Sequence, residues 1–177
     1  RSWITQVWDL ASGQSLYTVE GGPTAIFSLD GEQLATWQVG EGFLLWDAAS
    51  GQSAGFLDFP GAIALSPDFD FIVTNPSYDS DADTSVVSII DSETGAERYQ
   101  MAVGGTVVDA RFSPDGRFLA LTSGGTSSQT TVWEMQSDNQ VASFDQVDRF
   151  IFSPDGRLMA GTFGPQREIR LLDGQNF

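Results

Sequence analysis

Three aspartates at alternate positions, Asp79, Asp81 and Asp83 in the stretch Asn75–Thr84, are the residues best placed to do chemistry. A D-x-D-x-D run opens many calcium loops, because calcium takes about six to eight oxygens and spaced carboxylates bring several to one point. The rest of such a loop is missing. Its sixth position is Thr84 where a glycine turn belongs, its ninth is Val87, and its twelfth, Ile90, has no carboxylate. The plainer reading is a solvated acidic loop, with calcium binding as the alternative. Asp109 and Arg111 lie two apart, on one side of a strand-like run. Paired carboxylates can cleave glycosides, but the matching positions elsewhere are Thr24 and Ile26, or Gly61 and Ile63. An ion pair of Asp109 with Arg111 or Arg149 is the simpler account. There is no Gly-x-Ser-x-Gly motif and no histidine to act as base for a serine. Gly124-Gly125-Thr126-Ser127-Ser128 lacks the lysine and helix of a phosphate loop. With no cysteine, disulfides and thiolate metal sites are excluded. No catalytic residue and no cofactor are expected.

The charge balance points to a class of partner. Eight basic residues, all arginine, stand against 24 acidic ones, giving a net charge of −16. Such a chain repels phosphate backbones and anionic lipid, so nucleic acid and membrane surfaces are poor partners for it. No apolar run reaches the ~18 residues that a membrane-spanning helix needs. The content of 41% hydrophobic and 12% aromatic residues suits a packed core.

The elements that must carry these residues come from one repeated phrase. Asp109-Ala-Arg-Phe-Ser-Pro-Asp-Gly-Arg-Phe-Leu-Ala-Leu121 reads as strand, tight turn, strand. Pro114 presets φ for the second turn position, and Gly116 takes the positive φ that a side chain resists. Ala110 and Phe112 alternate before the turn, Phe118 and Ala120 after it, the pattern of a half-buried hairpin. The phrase returns at Phe150–Ala160 and, more loosely, at Ala64–Val73 and Ile26–Ala35. Hairpins are therefore expected to turn at Ser28–Gly31, Ser66–Phe69, Ser113–Gly116 and Ser153–Gly156. The spacing predicts Phe112 and Phe152 buried between sheets.

A second marker keeps the same period. Apolar runs end in an acid at Asp9, Asp47, Asp91, Glu134 and Asp173, separated by 38, 44, 43 and 39 residues. A repeat of about 40 residues fits four short strands per unit, here called a, b, c and d. The acid ends strand c, and the Ser-Pro-Asp-Gly turn joins a to b. The units run over residues 1–20 (partial), 21–58, 59–102, 103–145 and 146–177 (partial), within a single domain over 1–177. Strand counting gives seventeen.

Trp8-Asp9-Leu-Ala-Ser-Gly, Trp46-Asp47-Ala-Ala-Ser-Gly and Phe112-Ser-Pro-Asp-Gly116 resemble WD-repeat β-propeller proteins, and the resemblance covers essentially the whole chain. It implies an all-β fold built from propeller blades of four antiparallel strands. The Gly-His pair that opens a regular WD repeat is absent, and Ile90 and Leu172 replace the tryptophan in two units. The repeats are thus degenerate. The spare strand c and the start on Arg1 lead to the expectation of a piece of a larger ring, of bacterial type, with further segments or a second copy completing it.

The resemblance further implies a non-catalytic scaffold for protein–protein interaction. Its d-to-a and b-to-c loops would share one face: Glu20–Pro23, Gln38–Glu41, Asp58–Pro60, Asn75–Thr84, Ser123–Gln129 and Gln146–Asp148. Glu20, Glu41, Asp58, Asp79, Asp81, Asp83, Asp145 and Asp148 are the candidate protein-binding residues there, balanced chiefly by Arg167. A basic protein segment is the expected partner. The alternatives are a calcium-binding adhesive or sensory propeller, and a hydrolase whose active residues lie outside this segment. Trp8, Trp46 and Trp133 share one strand-c position, which packing explains. Trp3 and Trp37 are off it and are expected in the core, with a partner-facing role as the alternative.

Overall fold

The computed structural model describes residues 3–22, 24–74, 77–124, 128–163 and 168–173. Among the described residues there is no helix, and eighteen strands form five antiparallel sheets. The first sheet pairs β1 (Ile4–Asp9) with β2 (Gln14–Glu20). The second runs β3 (Ala25–Phe27), β4 (Gln33–Gln38), β5 (Gly42–Asp47) and β6 (Ser53–Asp58). The third holds β7 (Ala62–Leu65), β8 (Phe71–Thr74), β9 (Ser77–Asp79), β10 (Thr84–Asp91) and β11 (Glu97–Gly104), with both β8 and β9 pairing with β10. The fourth runs β12 (Thr106–Phe112), β13 (Phe118–Gly124), β14 (Gln129–Glu134) and β15 (Asn139–Asp145). The fifth runs β16 (Val147–Phe152), β17 (Leu158–Phe163) and β18 (Glu168–Asp173). No strand is shared between sheets, so hydrogen bonding closes no barrel among the described residues.

The count exceeds the expected seventeen by one. The extra strand is β9, inside the acidic insertion, where Ser77–Asp79 pairs with Thr84–Val86. The insertion is therefore in part a hairpin rather than a plain loop.

The four a-to-b turns share one hydrogen-bond network. Gly31, Phe69, Gly116 and Gly156 each donate their N–H to the carbonyl of the turn serine three residues back, at 2.9 Å. Ser28, Ser66, Ser113 and Ser153 donate their hydroxyls to Asp30, Asp68, Asp115 and Asp155. Each serine oxygen in turn accepts the N–H of the residue that opens the next strand: Gln33, Phe71, Phe118 and Leu158, all at 2.9 Å. Serine and aspartate are required because each satisfies backbone groups that the turn would otherwise leave open. The third turn residue after the serine has φ of 75° at Gly31, 70° at Gly116 and 69° at Gly156. Phe69 holds φ 65° without being glycine, a conformation that costs an L-residue about 1–2 kcal/mol.

The acid ending strand c does a second structural job. Asp9, Asp47 and Asp91 accept both the N–H and the hydroxyl of Ser12, Ser50 and Thr94, and Glu134 accepts the Ser137 hydroxyl. Gly13, Gly51 and Gly95 close these turns at φ of 69°, 70° and 70°, and Asp138 does so at 55°. A β-bulge follows each turn, with Leu16, Ala54, Arg98 and Val141 the extra residue of the strand that leaves it. The bulge bends that strand and increases its twist.

By packing, the chain divides into two compact units, Arg1–Ala62 and Ile63–Phe177. In the first, Leu34, Ala35 and Thr36 of β4 are buried, as are Val19 and Phe43. The Trp46 indole donates to the Thr36 hydroxyl at 2.9 Å, and that hydroxyl donates to the Glu20 carbonyl at 2.6 Å. Trp46 is thus a packing residue, as expected. In the second unit three sheets stack face to face. Leu119 and Leu121 of β13 join Val73, Val87, Ile89, Met101, Val103 and Ala110 in one cluster. Phe118 and Ala120 of the same strand join Val132, Val147, Phe150, Met159 and Phe163 in another. The fourth sheet is the middle layer, so β13 is buried on both faces and not on one.

Two expectations about aromatics need correction. Phe112 and Phe152 are only half-buried, each against the edge of a cluster, while Phe118 and Phe150 lie inside. Both half-buried rings adjoin an a-to-b turn, where the sheets end and water reaches. Trp8 is 53% exposed, because β1 and β2 form a two-stranded sheet one side of which carries Ile4 and Trp8 without a covering layer among the described residues.

Candidate functional site

The connections opposite the serine turns share one main-chain hydrogen bond. In the first sheet Gly21 donates its N–H to the carbonyl of Trp3, the residue before β1, at 3.0 Å. In the second, Phe59 donates to Glu41, the residue before β5, at 3.1 Å. Gly105 donates to Asp83, the residue before β10, at 2.7 Å, and Gln146 to Ser128, before β14, at 2.5 Å. In four sheets the residue after strand d is thereby bonded to the residue that precedes strand c. This bridge holds together the two connections that the sequence marks as binding loops.

The expected site residues fall on this frame unevenly. Glu20 closes β2, Asp58 closes β6, and Glu41 lies on the tight link before β5, all three exposed. Glu20 and Glu41 line one groove of about 360 Å³ in the first unit, together with Trp3, Trp37, Gln38 and Val39. Gly21 and Gly22 line it as well. The Gln38 amide donates to the Glu41 carboxylate at 2.6 Å. The Trp37 indole donates to the Ala62 carbonyl at 3.0 Å, so Trp37 is half-buried, whereas Trp3 is 59% exposed. The core expectation for Trp3 is therefore corrected: it lies ahead of β1 on a two-stranded sheet. Pro23, Asn75 and Arg167 lie outside the described residues, as do residues 125–127 of the Ser/Gly loop.

Asp79, Asp81 and Asp83 are brought together by the β9–β10 hairpin, and all are exposed. One Asp79 oxygen accepts the N–H of Asp81 at 2.9 Å and of Ala82 at 3.2 Å. The Tyr78 hydroxyl donates to Asp83, which sits at φ 48°. These are the bonds of an acidic turn, and among the described residues no group of three carboxylates is arranged to hold a metal ion. Asp145 closes β15 and accepts the Gln129 amide at 2.9 Å. Asp148 lies inside β16, at the bulge between Val147 and Arg149, and not in the connecting loop where the sequence placed it. A bulge adds one residue to a strand without a turn signal, which is why local reading missed it. Asp109 and Arg111 pair along one strand at 2.9 Å with both side chains well exposed, a contact worth little.

The Ser28 hydroxyl holds Asp30 below the ordinary carboxylate range, and Ser153 does the same for Asp155. Ser12, Ser50 and Thr94 likewise lower Asp9, Asp47 and Asp91, while Arg117 and then Ser137 lower Glu134. Burial, reinforced by Asp68, Asp91 and Glu93, pushes Asp70 up. A carboxylate depressed in the folded state adds stability above its unfolded value, about 3.9, and loses it as pH falls through the folded value. Asp47→Ala is accordingly expected to lower the urea midpoint at pH 6, with the gap to wild type closing below about pH 4. A gap that persists unchanged at strongly acid pH would show that the carboxylate's charge plays no part in the turn.

Comparison with models of protein families gave no match, and comparison with curated proteins gave none. The reading of this surface therefore rests on its own geometry.

Proposed function

We propose that this chain is a segment of a WD-repeat-like β-propeller that works as a non-catalytic protein-interaction scaffold. Its b-to-c and d-to-a connections form the contact surface, and the partner is a basic protein segment. The observation that carries this reading is the main-chain bridge recurring at Gly21–Trp3, Phe59–Glu41, Gly105–Asp83 and Gln146–Ser128. In four of the five sheets it holds the residue after strand d beside the residue before strand c without using a side chain of either, and connecting loops on a fixed frame are where binding residues concentrate. Acidic residues crowd those loops, and the a-to-b and c-to-d turns use their own acids internally. Support for the propeller arrangement comes from sequential four-strand order in the second and fourth sheets and from face-to-face stacking in the second unit. No helix in the described residues is long and apolar enough to cross a membrane.

A negative surface speeds encounter with a positive partner, and the gain fades within about 10 Å at 0.1 M salt. Neutralising Asp79, Asp81 and Asp83 to Asn is expected to slow association with a basic partner on the order of tenfold at low salt. Neutralising Asp30, Asp115 and Asp155, whose oxygens bind their own turns, is expected to leave association within about twofold. Stopped-flow association rates across a salt series, from roughly a fifth of to five times that 0.1 M reference, check this. Equal slowing by both triple variants would mean that only net charge matters. Tightening on addition of calcium would assign the Asp79–Asp83 turn to the metal instead.

The fifth sheet suggests a second association, with another copy or a further propeller segment. Ile151, Ile169 and Leu171 are 64%, 75% and 72% exposed on its outer side. Uncovered sheet faces and open edges favour pairing with another chain.

A further inference from the structure

We infer that the open face of the fifth sheet is a docking site for the first sheet of a second copy of this chain, joined head to tail. This names the occupant for the second association of the fifth sheet and rests on reading the chain as a run of stacked propeller-like sheets. The face is defined by what lies behind it. Phe150, Met159 and Phe163 join the cluster shared with the fourth sheet, and the Arg170 guanidinium lies over the Phe163 ring at 4.9 Å. The residues that alternate with these stand on the other side. Ile151, Ala160 and Leu171 pair in one row across the three strands, with Leu158 and Ile169 in the rows beside it. Ile151, Leu158, Ile169 and Leu171 are all exposed, an apolar patch of the kind that marks an association surface.

The repeat identifies what covers such a face. Leu171 and Ile169 stand two and four residues before Asp173, the acid that ends strand c. Ile89 and Val87 hold those two places before Asp91, and Val132 and Thr130 hold them before Glu134. All four are buried: Ile89 and Val87 pack with Leu119 and Leu121 of the fourth sheet, and Val132 with Val147 and Phe150 of the fifth. A following sheet thus covers these places in the third and fourth sheets. The first sheet carries the opposite half. Its Tyr17 hydroxyl donates to the Ala48 carbonyl, after β5 of the second sheet. Tyr17 pairs with Val7, so Ile4, Gln6 and Trp8 stand on the far side, and all three are exposed. Trp8 holds the place, one residue before the acid, at which Trp133 packs against the cluster between the third and fourth sheets. The first sheet therefore presents the side that a preceding sheet covers. Two different open faces on one molecule make a heterologous contact, which closes copies into a ring or extends them into a filament. Charge favours the same pairing. Residues 146–177 carry four acids and four arginines, whereas residues 1–62 carry seven acids and one arginine. A tail without net charge accepts an acidic head, while two heads repel each other.

The test is the mass of the full chain by sedimentation equilibrium, over a range of roughly 1–300 μM. Self-association is expected within that range. It should tighten several-fold between about 0.05 and about 0.5 M salt, because screening relieves the repulsion between two acidic chains. A basic partner responds to salt in the opposite sense. Trp8→Glu spoils the head and Leu171→Glu the tail. Both side chains are exposed, so each variant keeps the native far-ultraviolet dichroism. Each variant alone is expected to stay monomeric. Mixed in equal amounts they are expected to form a one-to-one pair, since the intact tail of the first meets the intact head of the second. A wild-type chain that stays monomeric at both salt concentrations would overturn the inference. Association that survives either single change, or no pairing on mixing, would overturn the head-to-tail assignment. If the chain stays monomeric while the Asp79, Asp81 and Asp83 triple variant slows a basic partner, the self-association fails and the loop surface stands. If the mixed variants pair while that triple variant has no effect, the loop surface fails and the head-to-tail contact stands.

Discussion

Leu121→Ala is expected to cost about 3–5 kcal/mol of stability, the upper range for deleting a buried leucine side chain. Leu121 is 0% exposed and sits opposite Ala110 on one side and Thr131 on the other in the fourth sheet. Its side chain reaches the cluster shared with Val73, Val87, Ile89, Met101 and Val103 of the third sheet. Both sheets are held by their own ladders at the usual spacing of about 10 Å, so the space cannot close when the leucine is cut back. Leu121→Met keeps the volume and is expected to cost less than about 1.5 kcal/mol. Phe112→Ala should fall below Leu121→Ala despite removing more atoms, because that ring is half in water. Urea unfolding followed by far-ultraviolet dichroism reads all three, with the slope against urea unchanged. A loss under about 1 kcal/mol at Leu121 would mean that the third and fourth sheets do not pack through this strand.

Gly42→Ala is expected to destabilise by about 3–5 kcal/mol, combining backbone strain with overpacking. Gly42 is buried at φ 140°, and a Cβ there would lie 2.0 Å from the Leu57 carbonyl oxygen and 2.9 Å from the Phe59 nitrogen. Neither atom can step aside. Leu57 pairs with Phe43 in the ladder, and the Phe59 N–H is the donor that bridges to Glu41. Gly40 supplies the control two residues away: its φ is 78°, and a Cβ there would meet nothing within 4 Å. Gly40→Ala should therefore cost only the left-handed backbone strain, about 1–2 kcal/mol. Equal losses at the two positions, measured by thermal unfolding, would remove the steric argument at Gly42.

The turns are legible because their residues carry the geometry with them. Ser113, Asp115 and Gly116 satisfy one another within a few positions, so the chain specifies the a-to-b turn locally, without help from distant residues. Burial is less legible, because it depends on which sheet face meets a neighbour. Phe118-Leu-Ala-Leu121 reads locally as half of an alternating hairpin, although four successive apolar residues are the mark of a strand covered on both sides. Trp3 and Trp8 look like core residues by type and are exposed by position, on a two-stranded sheet. β9 escapes notice since Ser77, Tyr78 and Asp79 show too short a pattern to declare a strand. At the candidate site, the loops carrying Glu20 and Glu41 are legible from turn spacing, but their meeting with Trp3 and Trp37 in one groove depends on the pairing of separate strands.

The bridge between Phe59 and Glu41, and its three counterparts, uses only a peptide N–H and a peptide carbonyl. Those atoms belong to every residue, except that proline lacks the N–H at the donor position. Selection can therefore rewrite loop side chains other than the donor glycines Gly21 and Gly105, where a Cβ would clash, without touching the bond that fixes the loops in place. Mutational libraries at residues 38–41, 58 and 79–83 should keep their fold at a far higher rate than libraries of equal size in the serine turns. A surface of this kind drifts quickly in sequence while its backbone stays recognisable, and it lends itself to being taught new partners.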